Sequence, residues 1–273
     1  MIKCNDWPIS VCTWSLGNDF DKLGQLRDQT QINHLNFAVA PAMEKAGDKY
    51  LARLDKEGWQ ISCTMISFPQ EDYSTLESIK VTGGIIPDDY WDKNKNLVLQ
   101  AIDITNQLGI EYLMFHFGFL DHSDKDGISK FTDRVKLLAN AAAEKKVTLL
   151  METGQETATD LRRFIEQLNH PAIAVNLDPA NIILYDKGEP IEAVRTLAQW
   201  IKHIHIKDAV RTKTPGSWGS EVPWGTGEVK STEFLKALQE INFAGALAIE
   251  REGGTNRLGD IKTAAEALIN FAG

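Results

Sequence analysis

Four polar residues stand where apolar runs end in the second half of the chain. LLMETG closes on Glu152, AVNLDPAN carries Asp178, HIHIKD carries His205, and LAIERE closes on Glu250. Carboxylates and imidazoles move protons near neutral pH and ligate metal ions. Each residue taken alone also reads as a satisfied polar strand end. Three carboxylates and an imidazole converging on one point, however, repel one another unless a cation neutralises them. Three hard oxygens and one borderline nitrogen suit one divalent ion, Mn²⁺ first and Mg²⁺ or Co²⁺ next. Zn²⁺ is tolerated, although it usually gathers more His or Cys.

Convergence requires elements that bring these positions together. Short β-rich apolar runs predict strands over 8–14, 33–39, 59–66, 110–116, 147–152, 172–178, 201–206 and 245–250. Amphipathic stretches over 44–57, 91–108, 128–145, 157–168, 190–200, 231–240 and 259–271 predict helices between them. The clearest is 128–145, where Ile128, Phe131, Val135, Leu138 and Ala142 form one face. Segment 15–32 is the least clear. Thr157 or Thr159 and Ser231 are candidate helix caps. Eight near-continuous apolar strands alternating with helices imply a single-domain (β/α)8 TIM barrel over 1–273, and no Gly-rich phosphate loop marks an open doubly wound sheet. Active sites of such barrels lie at the C-terminal ends of the strands, where the four residues fall. His203, His205 and Lys207 alternate onto one face. The later histidine lies nearer the mouth and is the better ligand; His203 reads as a hydrogen-bonded core residue, and Lys207 is placed to meet a substrate oxygen. Long connections over 67–90 and 207–230 predict binding loops or lids.

The net charge is −9 and no cluster of five or six basic residues occurs, so nucleic-acid partners are disfavoured. No apolar run approaches the roughly 18 residues of a membrane span, and no export leader is visible, so a cytoplasmic enzyme of small solutes is expected. Cys4, Cys12 and Cys63 are odd in number and lack CxxC spacing, which reads as buried thiols of a reducing compartment. The sequence leaves a homo-oligomer open.

The motifs METG, NLDPANI, HIHIKD, VPWGTGEV and AIERE, over about 147–252, resemble those of the xylose-isomerase-like barrels, a superfamily that includes sugar and sugar-phosphate epimerases and isomerases. The resemblance to its ketose 3-epimerases implies that Glu152, Asp178, His205 and Glu250 bind the metal, with Glu152 and Glu250 also serving as the catalytic acid–base pair. It further implies substrate contacts for Arg211, as an arginine six residues after the histidine, and for His116, as a histidine at the mouth of the fourth strand. Gln155 and Glu156 are candidates for binding hydroxyls, Trp14 and Phe68 for an apolar wall against a sugar ring, and Trp218 and Trp224 for closure over it. Asn181 departs from the pattern. Multinuclear members, such as the apurinic-site endonucleases, carry a histidine there, and an amide cannot replace it as a strong ligand. One metal rather than several is therefore expected, with Asn181 as a substrate contact.

The chemistry fits the assignment, since a metal bridging a ketone and the adjacent hydroxyl stabilises the enediolate formed when a carbon-bound proton leaves. A metal-dependent epimerase or isomerase of a sugar or sugar phosphate is thus the leading expectation. A lyase or hydrolase of a keto-sugar or glycoside, an inosose- or hydroxypyruvate-type enzyme, and a non-catalytic sugar-binding barrel are the alternatives. Backbone amides at Gly225, Gly227, Gly253 and Gly254 are candidates for a phosphate site.

Overall fold

Apolar and β-branched residues concentrate in eight runs that form the strands of a computed structural model describing residues 2–120 and 122–271. The strands are β1 (Trp7–Cys12), β2 (His34–Ala38), β3 (Gln60–Met65), β4 (Tyr112–Phe115), β5 (Thr148–Glu152), β6 (Ile173–Leu177), β7 (Ile201–Ile206) and β8 (Ala246–Ile249). Each pairs in parallel with the next, and β8 closes onto β1 through Leu247↔Ile9. The expected (β/α)8 barrel is the observed fold. A two-residue strand, Lys3–Cys4, turns back antiparallel on Trp7 and Pro8 at the foot of β1.

The outer helices are α1 (Phe20–Thr30), α2 (Gly47–Lys56), α3 (Trp91–Gln107), α4 (Lys125–Glu144), α5 (Ala158–Leu168), α6 (Pro190–Leu197), α7 (Ser231–Glu240) and α8 (Arg257–Ile269). Helix α1 occupies the unclear segment. Asp19 caps it by accepting from the amides of Asp21 and Lys22, and Phe20, Leu23 and Leu26 are buried. Thr157, not Thr159, caps α5 by accepting from Asp160 N. Ser231 is no cap: it is the first residue of α7, and Lys230 at the N-cap makes no side-chain capping bond.

Neither long connection is structureless. Segment 67–90 holds a helix over Leu76–Thr82, and segment 207–230 folds as an antiparallel ribbon of Asp208–Val210 with Ser220–Val222. Gly84, at φ +63°, presses so closely on the loop after β4 that a Cβ would meet Phe117 C at 2.2 Å. A short helix, Pro179–Leu184, follows β6, with Asp178 as its cap.

Strand alternation sends one set of side chains to the helices and the other into the barrel. The larger apolar cluster lies between sheet and helices and includes Leu35, Phe37, Phe115, Phe164 and Phe234. A smaller one joins Cys63 of β3 to Met114, Leu150 and Ala174, which pair laterally across β4, β5 and β6. Truncating Leu150 to Ala would cost about 2–5 kcal/mol by opening a cavity there. All three cysteines are buried free thiols.

Candidate active site

The C-terminal ends of β5 to β8 bring Glu152, Asp178, His205 and Glu250 together, with one potential ligand atom from each lying within 4.8 Å of all the others. His205 Nδ1 is 3.0 Å from Glu152 Oε1, 3.2 Å from Glu250 Oε2 and 3.5 Å from Asp178 Oδ2. Asp178 and His205 are fully buried. These are close charges rather than hydrogen bonds, because Asp178 Oδ2 and His205 Nδ1 make none, while Glu250 Oε2 is ion-paired with Lys207. Buried lone pairs without donors are costly unless an ion satisfies them.

The remaining atoms of the four residues are held by the protein. His205 Nε2 lies 2.9 Å from Asn36 Oδ1. An amide oxygen only accepts, so Nε2 carries the proton, and in the neutral ring Nδ1 keeps its lone pair towards the carboxylates. Asp178 Oδ1 accepts from Asn181 N at 3.0 Å, which leaves Oδ2 inward. Trp14 Nε1 donates to Glu250 Oε1 at 2.5 Å, and His116 Nε2 sits 3.2 Å from Glu152 Oε2. The donor set therefore fits one small divalent ion.

Electrostatics follow from this crowding. Burial raises the Asp178 carboxyl above its usual range despite Lys207 and His205. Burial also opposes ionisation of Glu250, but Lys207 and His205 prevail and hold it well below the ordinary value. Lys207 Nζ is 2.9 Å from Glu250 Oε2 and 2.8 Å from Glu252 Oε2. Burial works against protonation of His116, yet Glu152 and Glu71 lift its pKa.

Around this cluster lies a cavity of about 570 Å³. Trp14, His116, Asn181 and Lys207 line it with Glu152 and Glu250, and Trp218 reaches it from the loop after β7. The structure places the remaining candidates elsewhere. Phe68 is buried against Phe115, edge to face, and the apolar wall is formed instead by Trp14, Met65, Phe115, Leu184 and Tyr185. Arg211 does not line the cavity and is spent on Asp186, Glu189 and the Gly188 carbonyl. Gln155 is buried in a neighbouring cleft, and Glu156 lines neither space. Trp224 packs on Phe234 and does not line the cavity.

Three of the four glycine amides proposed for phosphate, those of Gly225, Gly227 and Gly253, are already engaged. Asp208 Oδ2 accepts from Gly225 N at 2.9 Å and Gly227 N at 3.0 Å, and its Oδ1 accepts from Val229 N at 3.1 Å. The approach needs glycine, since a Cβ on Gly227 would meet Asp208 Oδ1 at 2.3 Å. Glu221, pinned by Arg251 at 2.6 Å, takes Gly253 N at 3.0 Å.

Residues missed from sequence include Asn36, Glu71, Tyr73, Tyr185, Glu221 and Glu252. Asn36 did leave a signal, as an inward polar residue between apolar neighbours in HLNFAVA. Glu71 and Glu221 sit on long connections whose course carries no periodicity. A second hollow of about 600 Å³, lined by Tyr112, Thr148, Ile173 and Lys202, opens at the opposite end of the strands. It contains no cluster able to hold an ion among the described residues, so volume alone does not mark the site.

Residues 26–271 match the profile of a family described as xylose isomerase-like TIM barrel. A solved xylose isomerase domain protein from Planctomyces limnophilus superposes with a TM-score of 0.85 at 29% identity, over 96% of this chain and 95% of that one. Among curated relatives, a probable endonuclease 4 of Petrotoga mobilis is 27% identical over 115 residues, and an inosose dehydratase of Clostridium botulinum is 26% identical over 133. Each match covers 42% of this chain and spans only 40% and 44%, respectively, of those relatives.

Proposed function

The chain belongs to the xylose isomerase-like TIM barrel family, and on that premise we propose that it is a divalent-metal-dependent epimerase or isomerase of a small unphosphorylated sugar. The observation that carries this reading is the convergence of Asp178 Oδ2 and His205 Nδ1, buried and without hydrogen bonds, with the Glu152 and Glu250 carboxylates, the latter also paired with Lys207.

Glu152, Asp178, His205 and Glu250 would hold the ion, Mn²⁺ by preference. Once bound it supplies positive charge against the oxygens of a ketone and its neighbouring hydroxyl, where negative charge grows as a carbon-bound proton departs. The proton transfers belong to the protein. One of Glu152 and Glu250 takes the proton from the carbon next to the carbonyl; the other returns one to the opposite face, which inverts that centre. His116 steadies Glu152, and Trp14 with Lys207 steadies Glu250 and favours its ionised form. Trp14, Phe115 and Tyr185 give apolar faces for a sugar ring and help exclude water.

Two observations argue that the substrate bears no phosphate. Asp208 and Glu221 fill the amides of Gly225, Gly227 and Gly253. The cavity also presents Glu71, Glu221 and Glu252 besides the candidate ligands. The same acidity, together with Asn181 in place of a histidine, weighs against an endonuclease role despite the relative of that name. Elimination is the second reading, favoured by the similarity to an inosose dehydratase: the same abstracted proton followed by loss of a β-substituent gives an unsaturated ketone. Among the described residues no helix is long and apolar enough to cross a membrane.

Incubating the Mn²⁺-loaded enzyme with ketoses in D₂O tests the proposal. Deuterium should enter at the carbon beside the carbonyl, with a second epimer appearing for epimerisation or an unsaturated product for elimination. Glu152→Gln and Glu250→Gln should each slow exchange by about 10²–10⁴-fold. Full activity in both variants removes the acid–base assignment.

A further inference from the structure

Beside the main cavity lies a cleft of about 230 Å³ lined by Ile79, Lys80, Phe119, Gln155, Tyr185 and Lys187. Tyr185 borders both spaces, and Trp218 of the main cavity packs edge-on against its ring at 4.7 Å. Three polar groups meet at this junction without hydrogen bonds: both atoms of the Gln155 amide, the Tyr185 hydroxyl and Trp218 Nε1. Gln155 is 3% exposed and Tyr185 7%. The Gln155 amide lies close enough to the Tyr185 hydroxyl to pull its pKa down against the stronger effect of burial. Protein interiors rarely leave one such group unpaired, and three around one passage require an occupant with several neutral donors and acceptors.

We infer that this cleft is a second saccharide subsite, so that the substrate is a ketose joined to a second sugar ring rather than a free monosaccharide. The inference rests on the sugar reading of the main cavity. Neutral amide and phenol groups match hydroxyls, which both donate and accept. Lys80 and Lys187, whose ammonium groups lie 4.7 and 5.5 Å from the centre of the Phe119 ring, add donors at the rim, and Glu77 adds an acceptor. The loop after β7 spans both rings, with Trp218 over the first space and Gly216 at the second.

Calorimetric titration of the Mn²⁺-loaded enzyme with fructose and with the glucosyl-fructose disaccharides turanose, maltulose and isomaltulose is the test. At least one disaccharide should bind about ten-fold tighter than fructose or more. Gln155→Leu, and separately the surface change Lys187→Ala, should each reduce the ratio of disaccharide to monosaccharide affinity at least three-fold. This ratio is internally normalised against partial misfolding. Fructose binding with no disaccharide gain, or a ratio unmoved in both variants, overturns the second subsite and leaves the monosaccharide reading standing. Binding of neither class, with Mn²⁺ binding intact, overturns the sugar reading and the subsite with it.

Discussion

Two histidines sit two residues apart on β7, both inside the barrel, yet the layers around them differ in kind. In the lower layer, His203 Nδ1 lies 2.8 Å from Asn176 Oδ1 and Nε2 lies 3.2 Å from Ser62 Oγ. Burial, with His205 nearby, holds that ring neutral, well below its ordinary pKa. Both its nitrogens are used, and Asn176 Nδ2 is the atom of that network left unpaired. In the upper layer, His205 faces three carboxylates. Burial opposes its protonation, but Glu250, Cys12 and Glu152 drive its pKa far up. A buried polar layer whose histidine has a partner on each nitrogen acts as scaffold. One whose lone pairs outnumber its donors must recruit a further cation, either a proton or a metal.

This contrast is open to direct attack. The largest effect should follow Asp178→Asn, which removes a charged ligand. Mn²⁺ affinity should fall by more than about 100-fold in calorimetric titration. The metal-free variant should be at least as stable to urea as the parent, because one of three crowded carboxylates is neutralised. Unchanged Mn²⁺ affinity would break the comparison at its centre.

A sharper contrast comes from the two asparagines that orient the histidines. Asn36→Leu frees His205 Nε2 and should weaken Mn²⁺ binding by roughly 10–100-fold, the usual cost of losing an outer partner of a ligating histidine. Asn176→Leu should instead cost roughly 1–3 kcal/mol of stability, with little change in Mn²⁺ affinity. Equal effects of the two variants on metal binding would mean that the layers are not distinct.

The smallest expected effect lies outside both layers. Burial pushes the Glu156 carboxyl up to about 8, against the pull of His116 and Lys187. The folded chain then keeps a proton that the unfolded chain, with an ordinary value of about 4.3, has lost. Stability from this group is present below about pH 4.3 and is lost as the pH rises through about 8. Glu156→Gln should flatten that decline, visible as a urea midpoint that changes less between about pH 5 and pH 9 than the parent's. An identical decline in the variant would refute the assignment.

Much of the barrel was legible because buried parallel strands write near-continuous apolar runs and outer helices write a 3.6-residue period. Boundaries were less so. The run 8–14 continues apolar past Cys12, but the backbone turns there into a 3-10 segment over Thr13–Leu16, carrying Trp14 to the rim. Ser231 resembles a cap in composition, yet the chain enters α7 through Lys230 in the left-handed region. Arg211 and Phe68 carried the residue types of a site, but a charged arginine takes the nearest acids and an aromatic ring the nearest void, and both partners came from outside their own segments.

The sequence by itself determined that polar groups close β5 to β8, because each lies at the end of a local apolar run and strand parity is a property of consecutive residues. Only the tertiary structure decided which of their lone pairs remain free. That depends on Asn36, Trp14, Asn181 and Lys207 meeting those groups across the barrel, and on Asp208 and Glu221 reaching the glycine amides before any phosphate. Satisfaction of a buried polar atom is settled by distance and angle in space, which spacing along the chain does not encode.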